Sequence, residues 1–249
     1  MKTLLALLLT MASADAIETE PKSFEAQDGT KVLYRFTAPA KIEKGKQYPL
    51  VLFLHGSGQR GNDNKSQLKQ GAKAILKNAE KLEQPIFLIA PQCPSDKTWA
   101  PYRIDPNRPA DAKIDNPLLD AVLALVEETA SKQAVDRDRI FISGLSMGGF
   151  GTWAAIARQP DFFAAAIPIC GAGDPRTADR FKDLPIQIFH GTDDKIVPPA
   201  GSQRMFDALR KAGSNAELTM YPEVGHNSWT QTYDDVEVIR WLLSQTKSD

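Results

Sequence analysis

The sequence predicts a single α/β domain with a mostly parallel central sheet and helices on both faces. Its apolar runs are continuous rather than alternating, which is typical of strands covered on both faces, and helix-like stretches separate them. The 249 residues, 42% hydrophobic and 24% charged, are enough to bury a sizeable core. A net charge of −1 gives no indication of a nucleic-acid partner.

Residues 1–16 are typical of a secretory signal. Lys2 precedes an apolar run at 4–9, and small residues end in an A-x-A cleavage pattern at 14–16. We therefore expect a catalytic domain at 17–249 in a secreted or periplasmic protein. The apolar run is too short to span a bilayer, and no later segment approaches about 20 apolar residues, so no membrane partner is expected.

The elements of the domain follow in a regular order. A turn signal at 27–30 before a loosely alternating run at 31–39 predicts an N-terminal hairpin. Strands and helices then alternate, which indicates βαβ units and hence a parallel sheet. The predicted strands are 49–56, 85–93, 139–146, 164–171, 185–191 and 216–223, and the predicted helices are 65–81, 117–134, 147–158, 200–212 and 234–246.

Two segments interrupt this alternation and indicate where the site lies. Residues 56–67 and 94–116 are polar, rich in Gly, Pro, Asn and Asp, and each follows a predicted strand. Ligands of open α/β sheets bind outside the carboxyl ends of the strands, and long irregular loops there are often functional. The site is therefore expected at this edge of the sheet.

Ser146 is the predicted nucleophile. It occupies the centre of a G-x-S-x-G pattern at residues 144–148, between a predicted strand and a predicted helix. In such a turn the serine adopts a strained conformation, and the positions two before and two after must be nearly bare. The alternative is a glycine-rich turn with an incidental serine, which the strand-turn-helix context makes less favourable.

A serine hydroxyl needs a base to take its proton, and the chain has three histidines. His226 follows Ser146 with room for an acid between them, which is the chain order of nucleophile, acid and base in this kind of site. His190 would need its acid within 147–189. His55 is expected to brace the loop that follows the first parallel strand.

The remaining catalytic groups are an acid and two oxyanion donors. The acid is expected after the strand at 185–191, where Asp193 and Asp194 are adjacent and either could hold the base. The predicted donors are the backbone N–H groups of Met147 and Ser57, with Gly58 as the alternative to Ser57.

Several other side chains near these loops are candidates for substrate binding or for loop support. Trp99 and Trp229 are candidate substrate platforms, with loop anchoring as the alternative for each. Arg60 is expected to tie its loop to Asp63. The predicted strand order separates the two cysteines by two strands, too far for a disulfide, so two buried thiols are expected; they are Cys93 and Cys170.

Taken together, several strings resemble one family, the secreted α/β-hydrolases described as predicted peptidases or phospholipase/carboxylesterase-like proteins. Feruloyl esterases, acetyl xylan esterases and polyhydroxybutyrate depolymerases are relatives of that family. The resemblance runs from about residue 30 to the end. It lies in "LHGSGQRG", "APQCP" with the Trp that follows, "GLSMGGFGTW", "HGTDDKIVP" and "GHNSW".

This resemblance implies an α/β-hydrolase fold and assigns the triad. The family's H-G-x-x-D-x-x-V pattern selects Asp194 as the acid, with Val197 completing it, and the nucleophile and base fall on Ser146 and His226. Related dienelactone hydrolases use cysteine where this chain has serine. The lipase-type H-G-G-G loop and a long apolar lid are absent, which argues against long-chain triglycerides.

The expected function is a serine carboxylic-ester hydrolase that works through an acyl-enzyme, without metal or organic cofactor. Its expected substrates are short-acyl or feruloyl esters of plant polysaccharide. The alternatives are a serine peptidase or amidase with the same triad and, from another class, a non-catalytic carbohydrate-binding protein. The oligomeric state stays open.

Overall fold

The central feature of the fold is one sheet of eight strands, seen in a computed structural model that describes residues 18–102 and 115–247. The predicted signal at 1–16 lies outside the described residues. The strands are β1 (Glu20–Glu25), β2 (Lys31–Thr37), β3 (Tyr48–Leu54), β4 (Phe87–Gln92), β5 (Val135–Leu145), β6 (Ala165–Ile169), β7 (Gln187–Gly191) and β8 (Glu217–Tyr221).

Across the sheet the order is β1-β2-β4-β3-β5-β6-β7-β8. Strands β1 and β2 form the predicted hairpin, and β2 also runs antiparallel to β4. All pairs from β4 to β8 are parallel. The α/β-hydrolase fold and its mostly parallel sheet are confirmed.

Helices cover the sheet on both faces, as predicted. One apolar cluster contains Leu50, Leu52 and Leu54, while Val51 and Phe53 of the same strand lie in the other. The helices are α1 (Ala72–Lys81), α2 (Pro117–Lys132), α3 (Met147–Arg158), α4 (Ala200–Lys211), α5 (Trp229–Asp234) and α6 (Val236–Ser244). The first cluster includes residues of α2, α3 and α4, and the second includes residues of α1, α5 and α6.

Two predicted helices differ from the observed ones. The run at 65–81 contains a 3₁₀ turn and becomes α-helical only at Ala72, because Gly71 has φ 76° and interrupts the path. The run at 234–246 begins later, since Asp235 is extended and caps α6 by accepting the Glu237 N–H. No helix in the described part of the chain has both the length and the apolar character to cross a membrane.

Among the parallel strands, β8 is the exception to two-sided burial. It lies at the edge of the sheet opposite β1, and its residues are partly or fully exposed. The other parallel strands end together at one edge of the sheet: Leu54 lies opposite Gly144, and Leu145 lies opposite Ile169. The residues that follow these strand ends form the candidate site.

Candidate active site

The turn between β5 and α3 has the geometry of a nucleophile elbow. Ser146 has φ 53° and ψ −118°, a region that L-residues rarely adopt. A Cβ at Gly144 would lie 2.3 Å from the Gly148 carbonyl oxygen, and a Cβ at Gly148 would lie 1.9 Å from the Leu54 carbonyl oxygen. Only glycine fits at both positions, which is the physical reason for the pattern.

The structure brings Ser146, His226 and Asp194 into one hydrogen-bonded chain. Ser146 Oγ lies 2.9 Å from His226 Nε2, and His226 Nδ1 lies 2.7 Å from Asp194 Oδ2. Because a carboxylate can only accept, Nδ1 carries the proton and Nε2 is free to accept from the serine hydroxyl. This arrangement can move a proton from the serine hydroxyl to the imidazole while the carboxylate holds the ring.

The carboxylate is buried yet favoured in its charged form. Burial raises the pKa of Asp194, but hydrogen bonds from His226 and from the N–H groups of Val197 and Ile196 outweigh it, so the pKa lies below its ordinary value. Asp193 instead is exposed and accepts from the Thr192 hydroxyl. Of the two neighbouring aspartates, Asp194 is therefore the one that contacts His226.

The predicted oxyanion donors lie on adjoining backbone segments. Met147 is the first residue of α3, whose first turn packs against the end of β3, and Ser57 begins the 3₁₀ turn that follows β3. Among the turn and loop hydrogen bonds of the described residues, neither N–H has an acceptor. Two unengaged donors beside the nucleophile are what an oxyanion requires, and their role stays a prediction.

His55 braces the loop that follows β3, as expected. Its Nδ1–H donates to the Gly56 carbonyl over 2.6 Å, and its Nε2 accepts the Cys93 N–H over 2.9 Å. Burial lowers the pKa of His55 to about 4, so the ring is neutral at physiological pH. Neutral imidazole is the form that both of these hydrogen bonds need.

The prediction that Arg60 binds Asp63 is wrong. The Arg60 guanidinium donates to the carbonyls of Ser57, Ser95 and Lys97, so it joins the loop after β3 to the loop after β4. Asp63 closes its own turn instead by accepting from two backbone N–H groups, the Ser66 hydroxyl and the Gln92 amide. Carbonyl clusters can satisfy a guanidinium as well as a carboxylate can, and sequence spacing does not distinguish the two.

The predicted substrate platform at Trp99 needs correction. Its side chain is fully buried and donates from Nε1 to the His55 carbonyl, so it anchors the loop and presents no ring face. Trp229 is 9% exposed and meets the His226 ring edge-to-face, with centroids 5.2 Å apart. It packs against the base and offers little surface to a substrate.

Cys93 and Cys170 are both free and buried, as predicted. Cys170 Sγ lies within 4.8 Å of an Asp194 oxygen and a His226 nitrogen, a set of potential metal ligands. The aspartate and histidine are already joined by a hydrogen bond, and burial raises the pKa of Cys170 to about 12, which keeps the thiol protonated. The residues therefore fit a proton-transfer chain better than a metal centre.

Sequence reasoning missed the role of His190. This side chain is fully buried at the end of β7 and contacts Asp194 Oδ2 and the hydroxyl of Ser202. The one signal in the sequence was its position, since it ends a strand four residues before the acid. It does not act on Ser146, whose hydrogen-bond partner is His226.

Comparisons with known proteins agree with this geometry. The sequence profile of the phospholipase/carboxylesterase family matches residues 39–239. Carboxylesterase SOBER1 of Arabidopsis thaliana is 26% identical over 213 residues, which cover 79% of this chain and 90% of the relative.

Solved structures are similar as well. A thermostable esterase has a TM-score of 0.86 and 36% identity, over 93% of this chain and 64% of that longer one. A ferulic acid esterase, with a TM-score of 0.67 over 90% of this chain and 98% of its own, is 16% identical and shows only the shared fold. The chain belongs to the phospholipase/carboxylesterase family and is a carboxylesterase-type serine hydrolase.

Proposed function

We propose that this protein hydrolyses carboxylic esters through a covalent acyl-enzyme formed on Ser146. His226 takes the serine proton as Oγ attacks the ester carbonyl, and it then gives this proton to the leaving alcohol. In the second half of the reaction, His226 takes a proton from water as the water attacks the acyl-enzyme. This step releases the carboxylic acid product and restores the Ser146 hydroxyl. Asp194 holds the tautomer of His226 throughout and offsets the charge that the imidazole gains.

One observation carries this proposal. The three side chains form an unbroken hydrogen-bonded chain, and its nucleophile is held in a strained conformation at the start of α3. Strain of this kind costs about 1–3 kcal/mol, so a fold keeps it where it serves a purpose. Exposure of the hydroxyl to a substrate is that purpose here.

The test of the nucleophile is a covalent probe. Intact-mass spectrometry after treatment with a fluorophosphonate should show one adduct on the wild type and none on Ser146→Ala. Ser131→Ala is the control, because that serine is exposed on α2 and bonds only the Glu128 carbonyl. An unlabelled wild type, or a labelled Ser146→Ala, would contradict the proposal.

We further propose that the N–H groups of Ser57 and Met147 bind the oxyanion. Ser57→Pro deletes one N–H, and the preceding Gly56 is already extended, as a residue before proline must be. Loss of one donor should lower kcat by about 10²–10³-fold. Ser57→Ala keeps the N–H and should lose much less. A Ser57→Pro variant that kept wild-type kcat would contradict the role of the Ser57 N–H and favour that of Gly58.

The proposed substrates are short-acyl or feruloyl esters of plant polysaccharide, and the proposed location is secreted or periplasmic. The support is the motif resemblance and the secretory pattern at 1–16. Ranking kcat/KM for acetyl, butyryl and feruloyl esters tests the acyl group, and paired ester and amide substrates test the peptidase alternative. N-terminal sequencing of the exported protein should begin at Ile17; material that retains residues 1–16 would contradict the proposed location.

A further inference from the structure

A second buried histidine lies behind the triad. His190 Nε2 is 3.1 Å from Asp194 Oδ2 and 2.9 Å from the Val197 carbonyl oxygen. On the other side of the ring, Nδ1 is 2.7 Å from the Ser202 hydroxyl. His190 and Ser202 are both fully buried, so these contacts face no competition from bulk water.

The position of the protons follows from the partners. Both neighbours of Nε2 are acceptors, so Nε2 must carry a proton. Burial lowers the pKa of His190, which favours the neutral ring and leaves Nδ1 without a proton. The two acceptors at Nε2 therefore fix the tautomer that faces the acid, while the single hydroxyl proton of Ser202 lies between two acceptors, Nδ1 and the Gly171 carbonyl oxygen.

This second hydrogen bond completes the surroundings of the carboxylate. Asp194 Oδ2 accepts from His226 and His190, and Oδ1 accepts from two backbone N–H groups of its own loop. Donors on both oxygens oppose rotation about the Cβ–Cγ bond. The orientation of Oδ2 towards His226 is therefore set by His190 and the loop N–H groups as well as by His226 itself.

The same network reaches the nucleophile's side of the site. Ser202 Oγ lies 3.0 Å from the Gly171 carbonyl oxygen, and Gly171 packs directly against Gly149 in the first turn of α3. A Cβ at Gly171 would lie 2.5 Å from the Gly149 carbonyl carbon, so these two backbone segments are in close contact and have no room to shift towards each other. The acid loop and the nucleophile's helix are thus held to a common segment after β6.

We propose that His190 is a positioning residue for catalysis: its Nε2–H holds Asp194 in the orientation that orders His226. The role rests on the proposed function, because it acts through the triad and touches no substrate. Of the two histidines that contact Asp194, His226 is the proposed base and His190 orients the acid.

A pair of variants of similar shape tests this role. His190→Gln keeps an N–H close to the position of Nε2, whereas His190→Met fills similar space without a donor. For His190→Met we expect kcat to fall about 10- to 100-fold with KM little changed, because the lost donor faces a charged group. His190→Gln should recover most of this loss and stay within about fivefold of the wild type.

A spectroscopic measurement distinguishes positioning from general damage. The low-field proton NMR signal of the His226 N–H that faces Asp194 should shift or disappear in His190→Met and remain in His190→Gln. His190→Leu, which also lacks a donor, provides a second probe if the methionine variant does not fold, and the same signal should move in it while kcat falls.

Two results would overturn the proposal. One is a folded His190→Met or His190→Leu with wild-type kcat and an unmoved signal, and the other is an equal loss of kcat in the Gln and Met variants. Fluorophosphonate labelling separates this failure from failure of the triad. An unlabelled wild type refutes the proposed function, whereas a labelled wild type with insensitive variants refutes only the role of His190.

Discussion

Gly148→Ala is the most informative single change at the elbow. The added methyl carbon would lie 1.9 Å from the Leu54 carbonyl oxygen and 2.5 Å from its carbonyl carbon. Real Cβ contacts are essentially never shorter than 3.0 Å, so the start of α3 and the end of β3 must separate by about 1 Å. Strand β3 is paired on both sides, with β4 and β5, and cannot yield by rotating a side chain.

The structure indicates the size of the effect. Overpacking of this kind costs about 1–3 kcal/mol of stability, and each kcal/mol lowers Tm by roughly 2–4 °C in a chain of this size. Activity should suffer more, because the two predicted oxyanion donors, Met147 and Ser57, lie on the segments that move apart. A misplacement of about 1 Å can cost about 10²-fold in rate.

The assay is thermal unfolding together with kcat on a short-acyl ester. Gly225→Ala is the matched control, since it adjoins His226 but its added methyl would meet no atom within 4 Å. We expect this control to stay close to wild type in both measurements. If Gly148→Ala matched it in Tm and kcat, the argument that close backbone contact shapes the elbow would be refuted.

Three further predictions concern the acid, a buried histidine and the thiols. Asp194→Asn should lower kcat about 10⁴-fold by favouring the wrong tautomer of the base, whereas Asp193→Asn should not; steady-state kinetics on both checks this. Burial lowers the pKa of folded His55 from 6.5 to about 4. Between these two pH values, His55 is therefore protonated in the unfolded chain and neutral in the folded protein. His55 should therefore reduce the free energy of unfolding by about 3 kcal/mol as the pH falls through that range, and His55→Gln should flatten this part of a denaturation profile. Burial raises the pKa of Cys93 and of Cys170 to about 12, so neither thiol should react with Ellman's reagent in the folded protein. Both should react after unfolding without reductant, and a single reactive thiol or none in the unfolded protein would contradict this.

Much of the fold was predictable because its determinants are local. Continuous apolar runs located all six strands from β3 to β8 to within a few residues, with the largest error at the start of β5 (Val135–Leu145), where the charged residues 136–139 hide the strand. The glycines around Ser146 predicted the elbow because the G-x-S-x-G pattern itself is short and local, although Gly148 is required by contact with the distant Leu54. Chain order then led to His226, which follows the nucleophile and lies on a loop.

Other features depend on contacts between distant segments and leave little trace in the sequence. From the sequence, Trp99 could be an exposed platform or an anchor; the hydrogen bond from its N–H to the His55 carbonyl shows that it is an anchor. Arg60 finds carbonyls 35 and 37 residues away rather than the aspartate three residues away. Such partners are chosen by which loops the sheet brings together, and composition alone does not reveal them.

The site combines unequal degrees of restraint, and this has a mechanistic consequence. Asp194 is fixed by donors on both oxygens, and Ser146 is fixed by the elbow, so neither end of the proton path is free to move. The His226 side chain between them is 20% exposed and is oriented by its two triad hydrogen bonds and by contact with Trp229. In the proposed reaction His226 exchanges protons with the leaving alcohol and with water, so partial exposure at that one position suits its role, while the buried Asp194 and the strained Ser146 define where the ring lies.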